Sequence, residues 1–294
     1  MTKRHRIIIL LPCGVLVVAA LIFLSGPREP SYQGKTLSQW FENQPKDTGA
    51  REWWLPIDAV RAMGATALPP LVEWLQYEAS PRRQQFDQVL DRIYGFFGLH
   101  TQSRASRQCG WAVEAFLYLG PQAEPAIPAL VRLMNDYKRP VIARRAAWAL
   151  GCVRTEKALP PLMAVLTNEH HHAHTTVIDV IGYLGTNAGP AIPTLLRYLE
   201  DPDPKKADEA AQSLGAISLQ PALVVAALAR HLEDRNMERR PSAVRALSRF
   251  GREAQPAVPA LLRILNDTDW NLRELATNAI QAVAPEALTN ASPK

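Results

Sequence analysis

The stretch Ala143-Arg144-Arg145-Ala146-Ala147-Trp148-Ala149-Leu150-Gly151 decides how the chain is read. Counting back from Gly151, apolar residues stand 1, 4, 5 and 8 positions before it, at Leu150, Ala147, Ala146 and Ala143. That spacing is one stripe of an α-helix. A glycine directly after such a stripe supplies the left-handed residue that ends a helix without a Cβ penalty. The stripe recurs as Leu119, Phe116, Ala115 and Ala112 before Gly120, as Leu184, Ile181, Val180 and Val177 before Gly185, and as Phe250, Leu247, Ala246 and Ala243 before Gly251. With Gly64 and Gly215 included, the glycines are spaced 56, 31, 34, 30 and 36 residues apart. All but the first spacing is close to the length of one helical hairpin.

A second element follows each glycine and opens on an apolar residue and a proline: Leu68-Pro69, Ile127-Pro128, Leu159-Pro160, Ile192-Pro193 and Val258-Pro259. Proline in the first helical turn has no hydrogen bond to lose. Leu130, Leu133 and Met134, or Leu261, Ile264 and Leu265, then continue at helical spacing. One such hairpin cannot bury both of its apolar faces, so the units must stack. The expected fold is therefore all-α: a superhelical solenoid of about six hairpins over residues 55–288, with a short tail at 289–294. Two departures stand out. The unit around Leu214-Gly215 uses Pro221 in place of the usual start, and the long gap after Gly64 holds an insertion near 78–107. The insertion has a candidate helix at 83–97 and a polar turn from His100 to Ser106.

Three stretches together resemble the HEAT-repeat family, in its short bacterial form related to bilin-lyase-like repeats. They are Ala146 to Gly151, Gly120 to Ala126-Ile127-Pro128-Ala129-Leu130, and Asn266-Asp267-Thr268-Asp269 leading to Leu272-Arg273. The resemblance implies a stack whose second helices line the concave side, and a scaffold or adaptor that binds proteins. A bilin-lyase-like or other accessory role is the alternative it implies. A HEAT-type enzyme with a di-iron centre, deoxyhypusine hydroxylase, takes its ligands from His-Glu pairs, whereas no His here is followed by Glu. Ser31 to Trp40 is similar to a segment of exported bacterial HEAT proteins.

The first residues have a different character. Lys3, Arg4 and Arg6 form a basic flank at 1–6, and the uncharged apolar run 7–24 would span roughly 27 Å as a helix, enough for a bilayer core. This reads as a transmembrane signal anchor with a cytoplasmic N-terminus, a linker and cap at 25–54, and an exported, periplasmic body. A cleaved signal peptide is the other reading. Its best site, Val18-Ala19-Ala20, would leave Leu21-Ile22-Phe23-Leu24 exposed. Leu10-Leu11-Pro12-Cys13 is a poorer lipoprotein signal, because proline precedes the cysteine.

The net charge of +5 is concentrated at that end: residues 1–30 carry +3 and the rest only +2. A near-neutral body argues against nucleic acid as partner. Cys109 and Cys152 would face an oxidising compartment, yet their offsets from the neighbouring glycines place them too far apart to bond, so free buried thiols are expected.

The sharpest surface feature is a row of arginines at one register of the second helices, Arg132, Arg197, Arg230 and Arg263. It points away from the buried stripe and would offer an acidic protein a charged ladder on the concave face. Each arginine precedes an aspartate by four, Asp136, Asp201, Asp234 and Asp267, so local pairs that neutralise the row are the competing expectation. On the first helices the exposed register reads Asp58, Glu114, Arg145, Asp179, Glu209 and Arg245, which suggests pairs between repeats. Leu117 and Trp148 fall on the outward side of adjacent first helices, where a contact spot and tucking under the next turn compete. Trp40, Trp53 and Trp54 are expected to cover the open end of the stack. His170, His171, His172 and His174 have the density of a metal site without placeable supporting ligands, and a polar turn is the plainer reading. No motif marks a catalytic residue, a cofactor or a small-molecule substrate.

Overall fold

The computed structural model describes residues 29–42, 55–78, 104–233 and 239–291. The apolar run 7–24, Cys13, Trp53, Trp54, the candidate insertion helix 83–97, His100 and Asp234 lie outside the described residues. Among the described residues no helix is long and apolar enough to cross a membrane.

The chain divides into two compact units, 1–70 and 71–294. In the first, strands β1 (Ser31–Tyr32) and β2 (Lys35–Thr36) pair antiparallel through a turn with Gln33 and Gly34 at positive φ. They lead into α1 (Leu37–Glu42), which packs on α2 (Leu55–Met63). Leu37 and Phe41 are buried, and the Trp40 indole donates to the Tyr32 carbonyl at 3.0 Å. Trp40 is thus a half-buried part of the first unit. Helix α3 (Leu68–Leu75) carries the chain into the second unit.

The second unit is a stack of hairpins. First helices α4 (Arg104–Leu119), α6 (Pro140–Cys152), α8 (His174–Val180), α10 (Pro204–Ile217), α12 (Arg240–Phe250) and α14 (Trp270–Val283) pack each on the next. Second helices α5 (Ile127–Met134), α7 (Leu159–Leu166), α9 (Ile192–Leu199), α11 (Pro221–His231) and α13 (Val258–Ile264) alternate with them, and α15 (Glu286–Ala291) follows α14. Helix α4 already begins at Arg104, so the polar turn expected to run to Ser106 ends earlier. The core lies between the two rows of helices, with Phe116, Leu130, Met134, Leu150, Leu162, Ile178, Ile181 and Ile192 fully buried.

The structure corrects the role given to two glycines. Gly64, Gly120, Gly185 and Gly251 are left-handed, with φ between 51° and 57°. Gly151 and Gly215 instead lie inside α6 and α10, and the left-handed residues there are Arg154 (φ 58°) and Ser218 (φ 49°), three positions later. Ser218 compensates locally, its hydroxyl donating to the Gly215 carbonyl. Numbered from these true turns, the repeat spacings become 34, 31, 33 and 33, more even than the glycine spacing.

The interior glycines have a packing role. A Cβ on Gly151 would lie 2.8 Å from Val180 Cβ, one on Gly182 would lie 2.8 Å from Ser213 Cα, and one on Gly215 would lie 2.7 Å from Ala246 Cα. In all three cases the glycine stands three residues before its turn and meets the residue five before the next. One close approach is therefore repeated along the first helices. Ser213 marks it with a hydroxyl that donates to the Ile178 and Asp179 carbonyls at 2.7 and 2.9 Å.

Three of the turns share the sequence Gly-x-x-Ala-x-Pro-Ala, at 120–126, 185–191 and 251–257. Both alanines of each, Ala123 and Ala126, Ala188 and Ala191, Ala254 and Ala257, are buried and anchor the turn to the core. Arg154→Gly should raise the melting temperature, because it removes a left-handed strain of about 1 kcal/mol and leaves the backbone contacts in place. Gly215→Val should lower stability by roughly 1–3 kcal/mol, since the backbone of α12 is what its side chain would meet. Thermal unfolding followed by circular dichroism measures both.

Candidate binding face

The arginine row survives folding as exposed side chains: Arg132, Arg197, Arg230 and Arg263 each stand two residues after a core leucine, namely Leu130, Leu195, Leu228 and Leu261. At about 100° per residue this offset turns the side chain away from the packed stripe. The row is interrupted at α7, where Ala164 holds the position, and begins with Glu73 on α3.

The expected pairs between each arginine and the aspartate four residues on are not formed at Asp136, Asp201 or Asp267. Those aspartates close the turns between hairpins. One carboxylate oxygen accepts from the backbone N–H two residues later, at Lys138, Asp203 and Asp269, with distances of 2.9 to 3.0 Å. The other oxygen meets a base: Arg139 at 2.7 Å, Lys206 at 3.6 Å and Arg240 at 2.5 Å respectively. Asn168 makes the same turn with the His170 N–H. Hydrogen bonds from backbone and base hold the Asp136 and Asp267 carboxyls below the usual carboxylate range. Further arginines brace the turns: Arg239 donates across to the Asp201 carbonyl of the preceding turn and Arg273 to the Asp267 carbonyl of its own, both at 2.7 Å.

What does pair with the row lies one hairpin earlier. Arg230 meets Glu200 at 3.6 Å, and Arg263 meets Glu233. Each glutamate stands three residues after the row position of the preceding second helix. At that position the partners facing Arg132 and Arg197 would be Gln76 and Thr167, which carry no charge. Arg132 and Arg197 make no ion pair among the described residues. Periodicity along each helix does not reveal this pairing, because the partner sits across on the neighbouring hairpin. A glutamate three positions after the row arginine is the signal that would have found it.

A groove of about 300 Å³ lies beside Arg132, lined by Val72, Gln76, Ala129, Leu133 and Arg139. Half-buried Val131, Met163, Leu196, Ala229 and Leu262 follow the row one residue behind it, and exposed Pro128, Pro160 and Pro193 stand four residues before it on the same face. The face thus combines guanidinium groups with apolar floor.

The first-helix face is different. Arg145 is half-buried and donates to the Tyr77 carbonyl at 2.5 Å, not to a carboxylate. Glu209 is mostly buried, and the Lys205 ammonium lies 3.9 Å from its carboxylate. Burial, with Asp179 second, pushes its carboxyl up to about 7. Asp58, Glu114, Arg145, Asp179, Glu209 and Arg245 form no ion pairs with one another. Counted from the true turns at Arg154 and Ser218, the positions beside Asp179 on the adjacent first helices are Trp148 and Gln212, which carry no charge, and Arg145 and Glu209 belong to another register. The same correction separates Leu117 from Trp148. Both are half-buried, and Trp148 stacks at 5.8 Å on Tyr183.

The histidines divide. His170 and His172 are exposed, and His171 and His174 are buried. His171 Nδ1 accepts from the Ala173 N–H at 3.1 Å, leaving Nε2 to donate to Asn135 at 3.3 Å. The Tyr198 hydroxyl donates to the Leu166 carbonyl, so His174 Nε2 donates to that hydroxyl at 2.8 Å. Burial is the chief cause that lowers the pKa of both rings. No group of three His, Cys, Asp or Glu could hold a metal ion among the described residues. Cys109 and Cys152 are free and buried, as expected, and burial pushes the Cys152 thiol up to about 12.

A carboxyl at about 7 in the folded chain and near 4.5 when unfolded contributes stability that is present below pH 4.5 and lost as the pH rises through 7. Glu209→Gln should therefore melt several degrees above the parent at pH 8 and no higher at pH 4. Equal shifts at the two pH values would show that the carboxyl is not held protonated.

Residues 192–281 match the family model described as HEAT repeats, and residues 142–168 match that described as PBS lyase HEAT-like repeat. No curated protein matches the chain. Similar solved structures include a designed armadillo repeat protein in complex with the peptide (KR)4, at 20% identity and TM-score 0.45, covering 73% of this chain and 98% of that one. Another is the complex of CpcE and CpcF of phycocyanin lyase from Nostoc sp. PCC7120, at 19% identity and TM-score 0.45, covering 88% and 91%.

Proposed function

We propose that this chain, a HEAT-repeat protein, is a scaffold or adaptor that binds an acidic protein segment along the face of its second helices. The observation that carries this reading is the recurrence of an exposed arginine at one position of four second helices, with the nearby turn aspartates engaged elsewhere. A repeated cation beside apolar floor suits distributed contacts with an extended partner. The likeness of 142–168 to a PBS lyase HEAT-like repeat falls on packing positions of one hairpin, and so supports the fold more than a tetrapyrrole chemistry.

Reversing Arg132, Arg197, Arg230 and Arg263 to Glu should abolish recovery, at low salt, of the partner cross-linked to the parent chain in living cells, with helicity unchanged. Undiminished recovery would remove the row from the function.

The N-terminal run 7–24 belongs to the same proposal as a tether, with the repeats on the extracytoplasmic side. Protease added to cells stripped of their outer layer should then digest the repeats. Complete protection would reverse the orientation.

A further inference from the structure

The two halves of the arginine row differ in their electrostatics, and the difference follows one rule. An arginine of the row is closed when the preceding hairpin offers a glutamate three residues after its own row position, as Glu200 does for Arg230 and Glu233 for Arg263. It is open when that position is neutral, as Gln76 is for Arg132 and Thr167 for Arg197. All four guanidinium groups are solvent-exposed, so none of these pairs adds much to stability. What they change is the potential: a paired arginine presents little net charge to an arriving carboxylate, and an open one presents all of it.

The open arginines are not neighbours. Between them lies α7, with exposed Ala164 at the row position, half-buried Met163 beside it and exposed Pro160 one turn earlier. Two cationic posts therefore flank an apolar bay. Adjacent packed helices are separated by about 10 Å, so the posts stand roughly 20 Å apart, the length of about six residues of extended chain. Glu73, at the row position of α3, bounds the bay's cationic rim on the N-terminal side, and it makes no ion pair with Arg132.

Resting on the proposed binding role of this face, we infer that it reads an extended peptide bearing two carboxylates about six residues apart, with an apolar side chain midway. Arg132 and Arg197 take the carboxylates, Met163, Ala164 and Pro160 receive the apolar side chain, and Arg230 and Arg263, each closed by its glutamate, contribute less.

The test uses the full chain in detergent at low ionic strength and fluorescein-labelled peptides read by anisotropy. One peptide carries two Glu six residues apart about a central Leu. A second carries them three apart, and a third has Ser for the Leu. The first should bind about tenfold tighter than the others, a preference that weakens with salt. Arg132→Glu and Arg197→Glu should each weaken it about tenfold, and Arg230→Glu and Arg263→Glu, whose charge is already offset by a glutamate, each by a clearly smaller factor of about threefold. Thr167→Glu, which alters neither open arginine, should close Arg197 and mimic its reversal. Equal losses from the two halves of the row, or indifference to Thr167→Glu, would overturn the bipartite reading and leave the broader binding role standing. Peptides whose binding ignores all four reversals would remove both.

Discussion

The second unit depends on how closely successive first helices approach. Gly151 against Val180, Gly182 against Ser213 and Gly215 against Ala246 are the same contact made three times, and no side chain larger than hydrogen fits on the glycine side. That approach fixes the angle and spacing of each hairpin relative to the last. It also brings the second helices close enough for Arg230 to reach Glu200 and Arg263 to reach Glu233. The arrangement of the arginine row is thus a consequence of packing on the opposite row of helices.

The turns between hairpins add a second, polar layer of registration. Three of them are held by an aspartate, Asp136, Asp201 or Asp267, that accepts from its own turn and from a basic side chain, and a fourth by Asn168. Using the aspartates this way frees the arginine row from its own helices. It also explains why the turn histidines are structural: His171 folds back on its turn, and His174 fixes Tyr198 and through it the end of α7.

The hairpin order, the apolar stripe and the proline starts were legible because they are local: periodicity and proline's missing N–H act within a single helix. The distinction between a glycine that turns the chain and one that admits a neighbour was not. Gly151 and Gly215 follow the same Ala-Leu pattern as Gly185, and only the next helix, with its Val180 or Ala246, tells them apart. The arginines were found because they repeat. Their pairing was misassigned because Glu200 and Glu233 satisfy a rule that runs between hairpins, whereas the aspartates satisfied one that runs along a helix.

Because the rule crosses the boundary between units, the chain's electrostatic pattern is written in junctions and not in repeats. Excising the single hairpin of α8 and α9 with its Glu200 would place Arg230 after Thr167 and convert a closed arginine to an open one, with no residue of the remaining helices changed. Gain or loss of a unit in a protein of this kind therefore edits its surface charge pattern as directly as a point substitution, and the two hairpins that become neighbours carry the edit.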